Sequence, residues 1–263
     1  MVTFPVGLLE PAIVSVGYPF VRILAFVATE PVLGNRTVPR RVKIALALFL
    51  ALLVAPTLPM PTFTPGSPPG LLALLVQILI GVAMGFAARI VVSAAEMAGQ
   101  LAGLQMGLGF AVFFDPQGSG QTPTVAQFYG IVAILVLLAT NGHHVVLAAL
   151  AESFRVLPVG DGPLVAAGFR DLVLWGGTQI FTAGVMMSLP VVGALLIANI
   201  AIGVLTRAAP QLNIFAVGFP ITLLVGILIL YVSIPLVVPM LDHLNQSGYA
   251  AIERLLHGWR PTR

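Results

Sequence analysis

Hydrophobic positions in this chain gather into long uninterrupted runs. Segments from about Pro11 to Ala28, Ile44 to Leu58, Leu71 to Leu108, Val125 to Thr140, Leu172 to Thr206 and Ala208 to Leu241 are apolar with few or no charges. Runs near 20 residues predict helices that cross a bilayer, whereas a membrane barrel would show alternation at every second residue. The pattern predicts an all-α integral membrane protein of long kinked helices and helical hairpins. Pro19 is expected to bend the first segment, and Arg22 inside it must face protein or snorkel, because a guanidinium in lipid is costly. The last two runs are too long for upright spans, since roughly 1.5 Å per residue overshoots an apolar core about 30 Å thick. Pro190 and Pro220 predict bends there, and the two runs should fold into a hairpin. Its cytoplasmic tip is expected at Arg207, Pro210, Gln211 and Asn213.

The third run carries polar and small residues in a regular order. Arg89, Ser93, Glu96, Gln100, Gly103 and Gly107 follow at intervals of four, three, four, three and four, which places them on one helix face. Gly99, Gly103 and Gly107 would let another backbone approach closely, as small residues do in packed membrane helices. This stripe is expected to face protein or water. Past Gly109 the pattern loosens: Phe110, Phe113 and Phe114 precede Asp115 and Pro116, and Gln117, Gly118, Ser119 and Gly120 follow. Proline moves Asp115 out of helical geometry, and the glycines favour a turn. Two readings stay open on these residues, a helix that delivers an aromatic-tipped loop to an interior and an ordinary helical hairpin.

Composition narrows the function classes. The chain is 59% hydrophobic and 8% charged with a mean hydropathy of +1.06, against roughly 25% charged residues in soluble domains. A formal net charge of +3 gives no reason to expect nucleic acid as a partner. The one dense basic cluster, Arg36, Arg40, Arg41 and Lys43, is expected on the cytoplasmic side, with the N-terminus outside. Six crossings would then leave the basic tail, with Arg254, Arg260 and Arg263, outside as well, in conflict with the same rule. MVTFPVGLLE lacks the basic region of a cleaved signal. No cysteine is present, so disulfides, thiolate metal sites and a cysteine nucleophile are excluded.

Candidate chemistry is sparse. Ser119 lies in a polar loop after Pro116, a poor place for an intramembrane nucleophile. His143 and His144 are adjacent, so they turn to different helix faces, and no carboxylate stands at ligand spacing; a structural or interfacial role is expected. No enzyme activity, metal or cofactor is expected. Scattered ionisable residues and broken helices leave a polytopic secondary transporter for a small solute as the alternative. No repeat between halves and no paired carboxylates support it.

Three blocks carry a resemblance: GQLAGLQMGLGFAVFFDPQ, NGHHVVLAALAESFRVLPVG and RAAPQLNIFAVGFPI. In order and separation they resemble the FliR family of flagellar type III export-gate proteins, related to the injectisome SctT proteins. The resemblance implies a non-enzymatic structural and gating subunit at the bacterial inner membrane, in the flagellar basal body. Its implied partners are FliP and FliQ in a closed helical ring, FlhB and FlhA docked to it, unfolded flagellar export substrates, and membrane lipid. It implies a FliP-like N-terminal part over 1–163, a FliQ-like C-terminal hairpin over 164–241, and an amphipathic tail over 242–263. It also implies a pore plug over 106–121, in which Met106, Phe110, Phe113 and Phe114 supply apolar closure and Asp115, Pro116, Gln117, Gly118 and Gly120 the hinge.

Overall fold

The computed structural model describes residues 13–60, 63–109, 123–160, 166–209 and 214–258. A π-helical turn, Ile13–Gly17, leads directly into α1, Tyr18–Thr29. Pro19 stands in the first turn of α1, directly after the π-helical turn, where a residue without an N–H is tolerated. What the sequence marks as a bend is here a change of helix type. There follow α2 (Arg40–Val54) with a 3-10 turn at Ala55–Thr57, α3 (Pro68–Gln105), α4 (Thr124–Ala139), α5 (Gly142–Val156), α6 (Ala166–Ala208) and α7 (Ile214–Gly258). Among the described residues there is no strand.

Helix lengths revise the crossing count. Among the described residues three helices, in α3, α6 and α7, are long and apolar enough to cross a membrane, or four if α4 and α5 are taken as one span interrupted near Asn141. With 12 and 15 residues, α1 and α2 reach only about 18 to 22 Å, short of the roughly 30 Å needed. Among the described residues, six crossings are therefore not supplied by helices of spanning length. Pro190 lies inside α6, and Pro220, Pro235 and Pro239 lie inside α7. The boundary expected between hairpin and tail at 241/242 falls within α7, which runs unbroken to Gly258.

The chain forms two compact units, each assembled from separated stretches. One comprises Met1–Ile90, Asn141–Gly176 and Gln246–Arg263; the other comprises Val91–Thr140 and Gly177–Asn245. In the first, α1 buries Tyr18, Arg22, Ile23, Phe26 and Val27. The run GVAMG in α3 brings its backbone close to α1: a Cβ on Gly81 would strike the Arg22 carbonyl, and one on Gly85 would strike Thr29 and the Phe26 carbonyl. This is the small-xxx-small approach of membrane helices, about four helix turns before Gly99, where the sequence suggested it. α2 packs on α1 and buries only Ala47 and Ala51.

In the second unit, the remainder of α3 presents a run of alanines. Ala94, Ala95, Ala98 and Ala102 form a core with Val125, Tyr129 and Ala133 of α4, Met187, Val191 and Leu195 of α6, and Val237, Leu241 and Leu244 of α7. Spacing of three and four residues puts these alanines on one face. Small side chains let three helices approach α3 there, while larger residues from α6 and α7 fill the space between.

Candidate functional site

The segment singled out by sequence leaves α3 and returns as α4, and both of its ends are fixed within the second unit. Gly107 has φ of +86°, a left-handed conformation that glycine adopts without steric cost. Its N–H donates to the Leu104 carbonyl at 3.1 Å, and the Leu108 N–H donates to the Gly103 carbonyl at 3.0 Å. That pair of bonds is a Schellman motif, which ends a helix by satisfying its last carbonyls. Just before it, Met106 is buried. Its carbonyl accepts the Thr222 hydroxyl at 3.3 Å, and its side chain occupies the space a Cβ on Gly226 would need. Gly107 itself lies against the Phe219 ring.

The returning end is pinned to the same stretch of α3. Pro123 is the N-cap of α4 and its carbonyl accepts the Gln127 N–H at 3.0 Å. At Gly99 a Cβ would lie 2.5 Å from Ala126 Cα and 2.7 Å from its nitrogen, whereas at Gly103 it would meet Val125 at an ordinary 3.6 Å. The chain thus departs beyond Leu108 and re-enters within two helical turns of its exit. Phe110, Phe113, Phe114, Asp115, Pro116, Gln117, Gly118 and Gly120 lie outside the described residues, as do Pro210, Gln211 and Asn213 of the expected hairpin tip. Arg207 stands in the last turn of α6.

The expected stripe divides by environment. Arg89 and Gln100 are exposed, Ser93, Glu96 and Gly107 are half-buried, and Gly103 is buried. The Glu96 side chain lies against Gly130 of α4, its Oε1 3.2 Å from where a Cβ would stand. The tightest approach is at Gly99, one residue before Gln100. Gly99→Ala should therefore lower the thermal unfolding temperature of the purified protein, with an overpacking cost of about 1 to 3 kcal/mol. Gly103→Ala should leave it level or slightly higher, since alanine favours a helix interior over glycine by up to about 1 kcal/mol. Equal losses at both sites would contradict this contact.

Within the first unit, one polar cluster was only partly foreseen. Arg22 is wholly buried, facing protein as its cost in lipid demands. Nε donates to Gln77 Oε1 at 2.7 Å, NH1 to the Ser153 carbonyl at 2.9 Å and its Oγ at 3.1 Å, and NH2 to the Leu157 carbonyl at 2.8 Å. The guanidinium also covers the Phe154 ring, 4.2 Å from its centre. Leu157 is the C-cap of α5, so the cation sits where the last carbonyls of that helix gather partial negative charge and lack helical donors. One turn earlier on α1, the Tyr18 hydroxyl donates to the Gly70 carbonyl at 3.1 Å. Together these bonds tie α1 to α3 and α5. The partners Ser153, Phe154 and Leu157 stand in the SFRVLP run, but nothing in their spacing announces a distant arginine.

The two histidines open α5 with rings 4.0 Å apart, and the Nδ1 of His143 is buried with no hydrogen-bond partner. Glu30, just past α1, accepts the N–H groups of Val32 at 3.0 Å and Leu33 at 2.6 Å. Burial pushes its carboxyl above the usual carboxylate range, and those two N–H groups and His143 oppose the shift in part. Among the described residues no cluster of three metal-ligating side chains occurs.

Comparison with known proteins bears on this arrangement as a whole. Residues 13–248 match the family described as bacterial export proteins, family 1. A flagellar biosynthetic protein FliR from Pectobacterium carotovorum subsp. carotovorum is 47% identical over 239 residues, covering 91% of each chain. The Escherichia coli K12 protein of the same name is 41% identical over 227 residues, covering 86% of this chain and 87% of its own. That of Bacillus subtilis 168 is 32% identical over 221 residues, covering 83% and 85%.

Proposed function

The chain belongs to the bacterial export proteins, family 1, and within them to the FliR family, and from that premise we propose that it is a structural and gating subunit of the flagellar protein export gate. As a family member it is a membrane component of the flagellar export apparatus. The finer reading is that it joins FliP and FliQ in a closed helical ring at the bacterial inner membrane, within the basal body, with FlhB and FlhA docked to that ring. Unfolded flagellar proteins pass through the lumen. Residues 1–163 act as the FliP-like part, 164–241 as the FliQ-like hairpin, and the segment 106–121 as the seal.

The observation that carries this reading is the 47% identity spread over nine-tenths of both chains. The geometry adds a physical reason. A pore wide enough for an unfolded chain must hold back ions when idle, and apolar side chains on a loop with anchored ends do so by excluding water. Here the anchors are the Schellman turn at Gly107 and the seat of Val125 and Ala126 on α3. The three phenylalanines between them supply the apolar surface. No covalent chemistry is required, and the role is non-enzymatic.

The reading is tested by mild-detergent extraction of the tagged chain from cells, followed by identification of what accompanies it. Recovery in a large particle with FliP and FliQ is expected. A lone, monodisperse polypeptide that binds a small solute would overturn the gate reading in favour of a secondary transporter.

A further inference from the structure

The turn between α1 and α2 spends its polar side chains on its own backbone, with three exceptions. Glu30 accepts the N–H groups of Val32 and Leu33. Asn35 Oδ1 accepts both the N–H and the hydroxyl of Thr37, at 3.1 and 3.2 Å. Lys43 reaches back from α2 to donate to the carbonyls of Gly34 at 2.8 Å and Asn35 at 3.0 Å. Carboxylate, amide and ammonium thus fix the turn from both ends. Arg36, Arg40 and Arg41 are left exposed, with no side-chain partner among the described residues. Glu30 is the acid nearest to them along the chain, and it is buried and already bonded; from 31 to 60 the chain has no Asp or Glu.

The helix that follows continues this surface in apolar form. With Ala47 and Ala51 turned inward, α2 exposes Ile44, Leu48, Phe49, Leu52 and Leu53. Arg41, Ile44, Leu48 and Leu52 are spaced by three, four and four, so they share one face. A cationic end and an apolar stripe therefore lie in line on a helix about 22 Å long. An anionic phospholipid has the matching order, a phosphate with a net negative charge and then acyl chains. A soluble acidic peptide would leave the stripe uncovered, and an apolar protein helix would leave three guanidinium groups unmatched.

We propose that the 31–39 turn and α2 bind an anionic phospholipid, its headgroup held by Arg36, Arg40 and Arg41 and its acyl chains lying along Leu48, Phe49 and Leu52. The prearranged turn keeps the ordering cost of the headgroup contact low. Each basic residue near an anionic surface contributes a factor of about five in affinity, and the attraction weakens as salt rises.

The full-length chain, purified and delipidated, is titrated with phosphatidylglycerol or with phosphatidylcholine of the same acyl chains, and bound lipid is read by native mass spectrometry. Phosphatidylglycerol is expected to bind more tightly and to lose affinity by about fivefold for each of Arg36→Gln, Arg40→Gln and Arg41→Gln. Arg155→Gln, at an exposed arginine that pairs with Glu152, should leave it unchanged. Equal binding of the two lipids, or no loss in the three single variants, overturns the proposal. A photo-crosslinking residue at Leu48 in cells supplies the second arm, which survives a variant that folds poorly. A phospholipid adduct supports the lipid site, and an adduct only to protein overturns it.

Discussion

Replacing residues 110–122 with a short glycine–serine link should leave the chain able to assemble while the resting membrane leaks ions. Assembly is expected to survive because the described contacts that hold the two ends are made by residues that stay. The Schellman bonds at Gly107 and Leu108, the seat of Met106 against Gly226, and the packing of Val125 and Ala126 on α3 all lie outside the deletion. Leakage is expected because three phenylalanines leave with the segment, and with them the apolar surface able to exclude water from a lumen. The measurement is conductance of vesicles holding the purified assembly, compared with vesicles holding the intact one. Changing Phe110, Phe113 and Phe114 together to serine should give an intermediate leak, since the segment then stays while its apolar side chains go. Unchanged conductance in both variants would remove the sealing role, and loss of assembly in the deletion would mean that the segment is part of the scaffold instead.

The sequence revealed most where one local signal sufficed. The extent of α3 was legible, expected from Leu71 to Leu108 and found from Pro68 to Gln105, because an apolar run without proline ends in a glycine that stops helices. Long apolar runs likewise announced α6 and α7, and family membership was legible from three sequence blocks. The packing face of α3 was harder. Of the regularly spaced positions Arg89 and Gln100 are exposed, and the close contacts are made at Gly99, which the small-residue spacing marked, and at Gly81, Gly85 and the alanines from Ala94 to Ala102, which it did not. In a membrane chain small apolar residues mark contact faces at least as well as polar ones do, since they admit a neighbouring backbone. At α1 and α2 an apolar run was not by itself the sign of a spanning helix, since their described helices hold only 12 and 15 residues. The fixed turn at Glu30 and Lys43 could not be read at all, because it depends on side chains folding back to backbone groups that carry no sequence signature.

Arg22→Ala should be the most damaging single substitution in the first unit. Burying a guanidinium is expensive, and replacing a buried ionic group by a well-packed apolar one is often harmless. Here the opposite is expected, because the arginine serves acceptors that remain after it is gone. Gln77 is itself buried, and the Leu157 carbonyl lies at the end of α5, beyond the reach of helical donors. Each buried acceptor left unsatisfied costs about 1 to 3 kcal/mol, and the lost contact with Phe154 adds about 0.5 to 2 kcal/mol. A loss of roughly 3 kcal/mol or more follows, with a cavity besides. Arg22→Met fills most of that volume and should be milder, yet still destabilised, because a thioether donates nothing. Arg22→Lys keeps the charge but cannot fork between Gln77 on α3 and Ser153 and Leu157 on α5. Thermal unfolding of the purified protein, followed by intrinsic fluorescence, should rank the variants as wild type, then lysine and methionine, then alanine. Gln77→Leu removes one stranded acceptor, so Arg22→Met combined with Gln77→Leu should recover part of the loss of Arg22→Met alone. If methionine at this position matched the wild type, the arginine would be paying only for its own burial, and its role as the tie between α1, α3 and α5 would fail.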